Sequence, residues 1–187
     1  MTDTREMTIV VEGITDVVFM RALCGQLGLK KTRFFSGDGQ ISLATLARNI
    51  LVHEGGPVLV IMDADTTDAD QAEESRSLTK FVIQQLAHPS DFEVHAFVPA
   101  LEVIYFEAPD FLESALGKTI SANVLQEGMS NPKATLNRLA SQNGKKSQVD
   151  QLAAAIDSTT MPLLLQSSQA RLLIERIQSL MHAPTTA

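Results

Sequence analysis

The chain has 187 residues, of which 22 are acidic and 15 are basic, so its formal net charge at pH 7 is −7. This balance argues against a protein that coats nucleic acid through bulk positive charge. Hydrophobic residues make up 44% and charged residues 20%, which is the composition of a globular chain and not of a disordered one. Cys24 is the single cysteine, which excludes an internal disulfide and a zinc site built from several thiolates.

The sequence contains no feature of a membrane or secreted protein. No apolar run approaches the length needed to span a bilayer, and the acidic first six residues lack the profile of a signal peptide. We therefore expect a water-soluble, cytoplasmic protein that has no membrane partner.

Short apolar runs alternate with helical patterns over the first hundred residues. The β-branched runs predict buried strands, and the apolar residues spaced three to four apart predict helices. The predicted strands are 7–11, 32–35, 58–62 and 92–98. The predicted helices are 15–27 (with Thr15 as N-cap and Gly28 as the stop), 43–51 and 78–86, the last after a polar stretch over 66–77. This order predicts an α/β fold with a mostly parallel four-stranded sheet and helices on both faces.

The pattern changes after about residue 110. No further strand is predicted, and helical segments are expected near 136–139, 149–156 and 163–181. We therefore divide the chain into an α/β domain over 1–110 and a helical C-terminal extension over 111–187 that packs on it. The last amphipathic segment suits either the core or a dimer face, and we expect it to cover the core.

Acidic residues follow two of the predicted strands. Glu12 comes directly after the first strand, and Asp63 and Asp65 come after the third. Ligands of parallel sheets bind beyond the carboxyl ends of the strands, and residues two apart on an extended chain point to the same side. Carboxylates gathered in one place repel one another unless a cation lies between them. Because oxygen ligands favour hard cations, these residues predict a site for Mg²⁺ or Mn²⁺.

These acidic segments resemble the two motifs of TOPRIM domains. Residues 10–16, Val-Val-Glu-Gly-Ile-Thr-Asp, are similar to the glutamate motif, and residues 61–65, Ile-Met-Asp-Ala-Asp, are similar to the DxD motif. One complete β-α pair separates them, as in that family. The pattern most resembles the TOPRIM module of OLD-family (overcoming lysogenization defect) nucleases, over about residues 7–107. The resemblance implies a TOPRIM-like, Rossmann-like fold.

The resemblance also implies a role for each matching residue. Glu12 would be a metal ligand or general acid/base, and Asp63 and Asp65 would be metal ligands. Asp16 and Glu102 would be additional ligands. Each of these two has a purely structural alternative: Asp16 complements the positive end of the helix that it opens, and Glu102 opens a surface helix after Pro99.

Phosphoryl chemistry also needs a cation near the developing negative charge. The candidate catalytic lysines are Lys133 and the pair Lys145 and Lys146, with the pair ranked first; a solvated surface role is the alternative for each. The candidate nucleic-acid contacts are the basic cluster Lys30, Lys31 and Arg33 and the turn glycines Gly37 and Gly39, which alternatively form only a tight turn.

We therefore expect Mg²⁺-dependent or Mn²⁺-dependent cleavage of nucleic acid, with DNA favoured over RNA. The resemblance implies a setting in phage defence or DNA repair. OLD nucleases usually carry an ATPase region that this chain lacks, so an ATPase or other protein partner, or a homodimer, is expected. Two alternatives stay open: a non-catalytic TOPRIM binding subunit, and a phosphatase of the DxDxT type with Asp63 as nucleophile and Asp65 as acid/base.

Overall fold

Four parallel strands form the centre of the computed structural model, which describes residues 6–37, 40–141 and 148–182. The elements up to the end of the fourth strand are β1 (Met7–Val11), α1 (Ile14–Gln26), β2 (Thr32–Ser36), α2 (Gln40–His53), β3 (Val58–Asp63), α3 (Ala69–Gln84) and β4 (Phe92–Phe97). The strand order is β2-β1-β3-β4, and every neighbouring pair is parallel. The predicted parallel sheet with helices around it is therefore confirmed.

The two central strands are buried along their whole length. Every residue of β1 and of β3 is buried, which their runs of β-branched and aliphatic side chains allow. Alternate side chains face opposite sides of the sheet, so Ile9 and Ile61 join one core cluster and Val10 and Val60 join the other. The second cluster is covered by α2 and α3.

Seven helices follow β4 within the described residues. They are α4 (Val103–Glu107), α5 (Pro109–Leu116), α6 (Ala122–Ser130), α7 (Pro132–Ser141), α8 (Gln148–Ala154), α9 (Met161–Leu164) and α10 (Ser168–His182). Their apolar side chains belong to the same core cluster as those of β1 and α1. None of the helices in the described ranges is long and apolar enough to cross a membrane.

Several predicted boundaries are wrong, each for a local reason. Gly13, and not Thr15, is the N-cap of α1, since the helix already begins at Ile14. The polar stretch before residue 78 is helical, because the Asp68 carboxylate accepts hydrogen bonds from the backbone N–H groups of Asp70 (2.9 Å) and Gln71 (3.1 Å) and so begins α3 early. The predicted helix over 163–181 is divided into α9 and α10, and the helices α4, α5 and α6 were not predicted.

Candidate functional site

Glu12 and Asp63 meet at the carboxyl ends of the two central strands. Because β1 and β3 are parallel neighbours, their last residues lie at the same edge of the sheet. The Oε1 atom of Glu12 accepts a hydrogen bond of 3.2 Å from the backbone N–H of Asp63. Asp63 is only 4% exposed, and its Oδ1 accepts a hydrogen bond of 2.9 Å from the backbone N–H of Leu101. The ends of β1 and β3 and the loop after β4 are thus joined through two carboxylates.

Asp65 lies in a turn and not on an extended segment. Its φ of 54° is in the left-handed region, which side chains other than glycine seldom adopt. The turn is held by backbone hydrogen bonds from Ala64 to Phe97 (2.8 Å) and from Asp65 to Pro99 (2.9 Å). The extended geometry predicted for Asp63 and Asp65 is therefore wrong. The Asp65 side chain is 66% exposed at the mouth of the site, in contrast to the buried Asp63.

Lys133 places a positive charge against these carboxylates. It lies in the first turn of α7, and its Nζ is 2.6 Å from Asp63 Oδ2 and 3.9 Å from Asp65 Oδ1. Partial burial disfavours the ammonium charge, but the hydrogen bond and the charge attraction to Asp63 outweigh burial and raise the pKa of Lys133. Lys133 is therefore a protonated counter-charge of Asp63 at neutral pH.

Asp16 and Glu102 lie in the same electrostatic environment. The Asp16 carboxylate accepts a hydrogen bond of 3.0 Å from the backbone N–H of Gly13, so it supports the start of α1. Burial, together with the charge of Asp63, raises the pKa of Asp16 despite that hydrogen bond. Burial likewise raises the pKa of Glu102 to about 7, with Asp63 and Asp16 adding to the shift. The Oε2 atom of Glu102 is buried and has no hydrogen-bond partner among the described residues.

We call these five acidic residues the carboxylate edge: Glu12, Asp16, Asp63, Asp65 and Glu102. Burial also raises the pKa of Glu12, and the charges of Asp63 and Asp65 add to that effect. A divalent cation would relieve this repulsion and would give the buried Glu102 oxygen a partner. The donors are all carboxylate oxygens, which fits Mg²⁺ or Mn²⁺. However, within the described ranges no three His, Cys, Asp or Glu side chains stand close enough together to hold a metal ion.

The predicted basic cluster lies at the other end of the sheet. Lys30 and Lys31 precede β2, whose five residues span about 15 Å at the usual rise of a strand, so the two lysines are far from the carboxylate edge. Arg33 is paired within the chain, with Glu6 at 2.9 Å and with Glu54. The structure does not bring these three basic residues to Glu12, Asp63 or the other residues of the carboxylate edge.

The backbone N–H of Gly37, in the turn after β2, is already engaged within the chain. Gly37 follows β2 at the carboxyl end, but its backbone N–H donates to the carbonyl oxygen of Val11 at 2.9 Å. Gly39, Lys145 and Lys146 lie outside the described residues.

A cleft beside the carboxylate edge was not anticipated from the sequence. It has a volume of about 140 Å³ and is lined by Asp65, by residues 99–100 of the loop after β4, and by residues 130–133 of the α6–α7 junction. One signal could have indicated this junction: Pro132 stands at the first position of α7, where proline commonly opens a helix. The motif Asn131-Pro132-Lys133 therefore marks a helix start that carries Lys133 to the site.

Structural comparison places this fold among known ones. The C-terminal region of the Burkholderia pseudomallei OLD protein is similar over 94% of this chain and 98% of that chain, with a TM-score of 0.58 and 18% sequence identity. The C-terminal region of the Xanthomonas campestris pv. campestris OLD protein aligns over 90% of this chain and 96% of that chain, with a TM-score of 0.45 and 17% identity. No family model and no curated protein matches the sequence. The similarity is one of fold: the chain has the TOPRIM-type fold of the OLD C-terminal region, so the predicted resemblance is confirmed at that level.

Proposed function

We propose that this protein hydrolyses phosphodiester bonds of nucleic acid, DNA in preference to RNA, at the carboxylate edge with Mg²⁺ or Mn²⁺. One observation carries the proposal: Glu12 from one strand end binds the backbone of Asp63 from another, and Asp63 in turn pairs with Lys133. Acidic groups and one protonated lysine thus converge where parallel sheets bind ligands. The shared fold with the OLD C-terminal region is consistent with a TOPRIM-type nuclease module. A setting in phage defence or DNA repair is part of the proposal and rests on the motif resemblance alone.

Each residue has a chemical task in this proposal. Glu12, Asp63 and Asp65 would hold the cation, with Asp16 and Glu102 beside them, and binding would draw these side chains closer together than they are in this structure. When bound, the cation would supply positive charge to the reacting phosphate. Lys133 would donate hydrogen bonds to a phosphate oxygen and offset the charge that develops there. Alternatively, Glu12 would act as the general acid/base instead of a ligand, and would accept or return a proton.

The acidic net charge bears on how the substrate is held. At −7 the protein has little general attraction for a polyanion, and Lys133 is the cation that contacts the carboxylate edge among the described residues. We therefore infer that a protein partner or a second copy of the chain supplies part of the affinity for nucleic acid.

We also propose that the protein works in the cytoplasm. The proposed division of the chain is an α/β domain over 1–110 and a helical extension over 111–187.

The proposal is tested by comparing the cleavage rates of the wild type, of variants at the carboxylate edge and Lys133, and of matched control variants. Supercoiled plasmid, single-stranded DNA, RNA and p-nitrophenyl phosphate are incubated with the protein in Mg²⁺, Mn²⁺ or a chelator. Wild type should cleave DNA in a metal-dependent way, and Glu12→Gln, Asp63→Asn and Lys133→Met should each reduce the rate by about 100-fold or more. Glu74→Gln, an exposed change on α3, and Lys118→Met, at a lysine after α5 that forms no ion pair among the described residues, are the controls with equal charge changes and should keep the wild-type rate.

Thermal unfolding separates metal binding from catalysis. Mg²⁺ should raise the Tm of the wild type, and Asp63→Asn should lose that rise. Lys133→Met should keep it, because the substitution removes a cation that competes for Asp63 Oδ2. Metal stabilisation without any cleavage would instead support the binding subunit, and turnover of the monoester alone would support the phosphatase. Cleavage that is indifferent to chelator and to all three variants would overturn the proposal.

A further inference from the structure

We infer that the α6–α7 junction positions the strand of nucleic acid that is cut, and that Ser130 and Asn131 hold the nucleotide next to the bond that is cut. This inference rests on the proposed function and adds to it the residues that position the substrate beside the reactive groups. It is carried by the cleft that these residues share with Asp65 and Lys133.

The cleft continues directly from the reactive groups. Lys133, which contacts Asp63, and Asp65 form one part of its lining, and Ser130 and Asn131 form another. A phosphate bound at Lys133 would therefore have its neighbouring nucleotide in the cleft.

The polar side chains of the junction are available for a ligand. The backbone of Asn131 is already satisfied, since its N–H donates to Glu127 at 2.8 Å and its carbonyl accepts from Thr135 at 3.0 Å. Its exposed side-chain amide, like the exposed hydroxyl of Ser130, makes no hydrogen bond within the part of the chain that the structure describes. An amide and a hydroxyl can donate to a phosphate or sugar oxygen without adding charge. Such contacts position a strand and do not read its sequence.

The junction is also held in place by the helices on either side of it. Arg138 of α7 makes a two-pronged ion pair with Glu127 of α6, at 2.8 and 2.5 Å. Gly128 of α6 lies directly against the ring of Phe106 in α4. These contacts fix Ser130 and Asn131 relative to Lys133, which lowers the ordering cost of binding a strand.

Two substrates and a matched pair of variants test the inference. The substrates are a ten-residue thymidine oligonucleotide, which has neighbouring nucleotides, and bis(p-nitrophenyl) phosphate, which has none. Asn131→Ala should raise the ratio of the KM for the oligonucleotide to the KM for the small diester by about tenfold, as expected for a lost hydrogen bond to a charged group. Asn123→Ala, an exposed change on α6 outside the cleft, should leave this ratio as in wild type.

The other outcomes are equally decisive. An equal change for both substrates would mean that Asn131 acts only by supporting Lys133, and an unchanged ratio would mean that the strand does not use the cleft; both overturn the inference. If wild type cleaves neither substrate, the proposed function fails, and fluorescence anisotropy of the labelled oligonucleotide then decides the inference alone. Weaker binding by Asn131→Ala than by Asn123→Ala would support it, and equal binding would reject it.

Discussion

Asp63 and Asp65 are two positions apart but offer very different ligands. Both oxygens of Asp63 are engaged, Oδ1 by the backbone of Leu101 and Oδ2 by Lys133. Asp65 is mostly exposed and reaches Lys133 only at 3.9 Å. A cation approaching from solvent would therefore meet Asp65 first and would compete with Lys133 for Asp63. The lysine and the cation are thus alternative counter-charges of the same carboxylate.

His95 is a buried histidine that takes no part in the carboxylate edge. It is 1% exposed within β4, its ring lies edge-on to Phe97 with centroids 4.5 Å apart, and neither ring nitrogen has a hydrogen-bond partner among the described residues. Burial, together with the nearby charges of Arg176 and Arg76, lowers the pKa of His95 to about 3. The folded protein therefore keeps this side chain neutral.

The low pKa of His95 predicts a loss of stability in acid. Between the unfolded pKa of about 6.5 and the folded pKa of about 3, the unfolded chain binds the extra proton, so His95 destabilises the folded state as the pH falls through this window. The free energy of unfolding of His95→Phe, relative to wild type, should rise on going from pH 7 to pH 4, by up to about 1.4 kcal/mol per pH unit. Urea denaturation at each pH measures it.

An exposed histidine, His53, provides the control for that measurement. His53 lies exposed at the end of α2, so His53→Gln should follow the wild-type curve at every pH. The raised pKa values of Glu12, Asp16 and Glu102 act in the opposite direction, but they are common to all three proteins and cancel in the difference. Parallel curves for His95→Phe and wild type would contradict the prediction.

At the level of elements, the strands could be predicted and the helices after β4 mostly could not. A buried parallel strand is a short β-branched run, and β1 and β3 show that pattern without interruption. The first four residues of α4, 103–106, are all apolar or aromatic and all buried, so the segment shows no helical periodicity to detect. The first half of α3 has the opposite difficulty, because it is mostly polar and shows no apolar periodicity. Only the Asp68 cap and the helix-favouring Ala, Gln and Glu residues indicate a helix there.

The same distinction applies to the candidate site. The approach of Glu12 to Asp63 follows from strand order, because the carboxyl ends of neighbouring parallel strands meet at one edge. The position of Lys133 depends on how α6 and α7 pack against the sheet. The sequence pattern predicts only part of α7 and none of α6, so it does not favour Lys133 over Lys145 and Lys146 as the lysine of the site. The local sequence pattern is thus enough to identify site residues at the strand ends. Site residues on separately packed helices can be identified only from the tertiary structure.

The contact between α6 and α4 allows no side chain at Gly128. A Cβ atom placed there would lie 2.1 Å from Cδ1 of Phe106. Gly128→Ala should therefore lower the free energy of unfolding by about 2 kcal/mol and, by displacing the α6–α7 junction, weaken the contact of Lys133 with Asp63. Gly25→Ala is the matched control, because no described atom lies within 4 Å of its Cβ position on α1. That change should stabilise the helix by up to about 1 kcal/mol, and similar values for both variants would contradict the packing described here.

At the scale of the molecule, the sheet and the later helices share one interior. The backbone of Val98, just after β4, exchanges two hydrogen bonds of 2.8 Å with the side chain of Gln169 in α10. The Glu107 carboxylate accepts hydrogen bonds from Ser167 (2.7 Å) and from the backbone of Gln169 (3.1 Å). These contacts attach α10 to the end of β4 and to α4. The sheet and α10 should therefore unfold together.

Neighbouring leucines on α10 test this coupling. Leu173 is fully buried in the core cluster that contains β1, whereas Leu172 is 42% exposed. Leu173→Ala should lower the free energy of unfolding by about 2 to 5 kcal/mol and Leu172→Ala by much less, because only the first opens a cavity in the interior.

The fluorescence of Tyr105 measures this unfolding. Tyr105 is the single tyrosine of a chain without tryptophan, and its ring packs between Phe19 of α1 and Phe111 of α5, so its fluorescence reports on the interior. In urea, the transitions seen by this fluorescence and by far-ultraviolet circular dichroism should coincide and move together in Leu173→Ala. Two separate transitions, with only one displaced by the substitution, would instead show that α10 unfolds independently of the sheet.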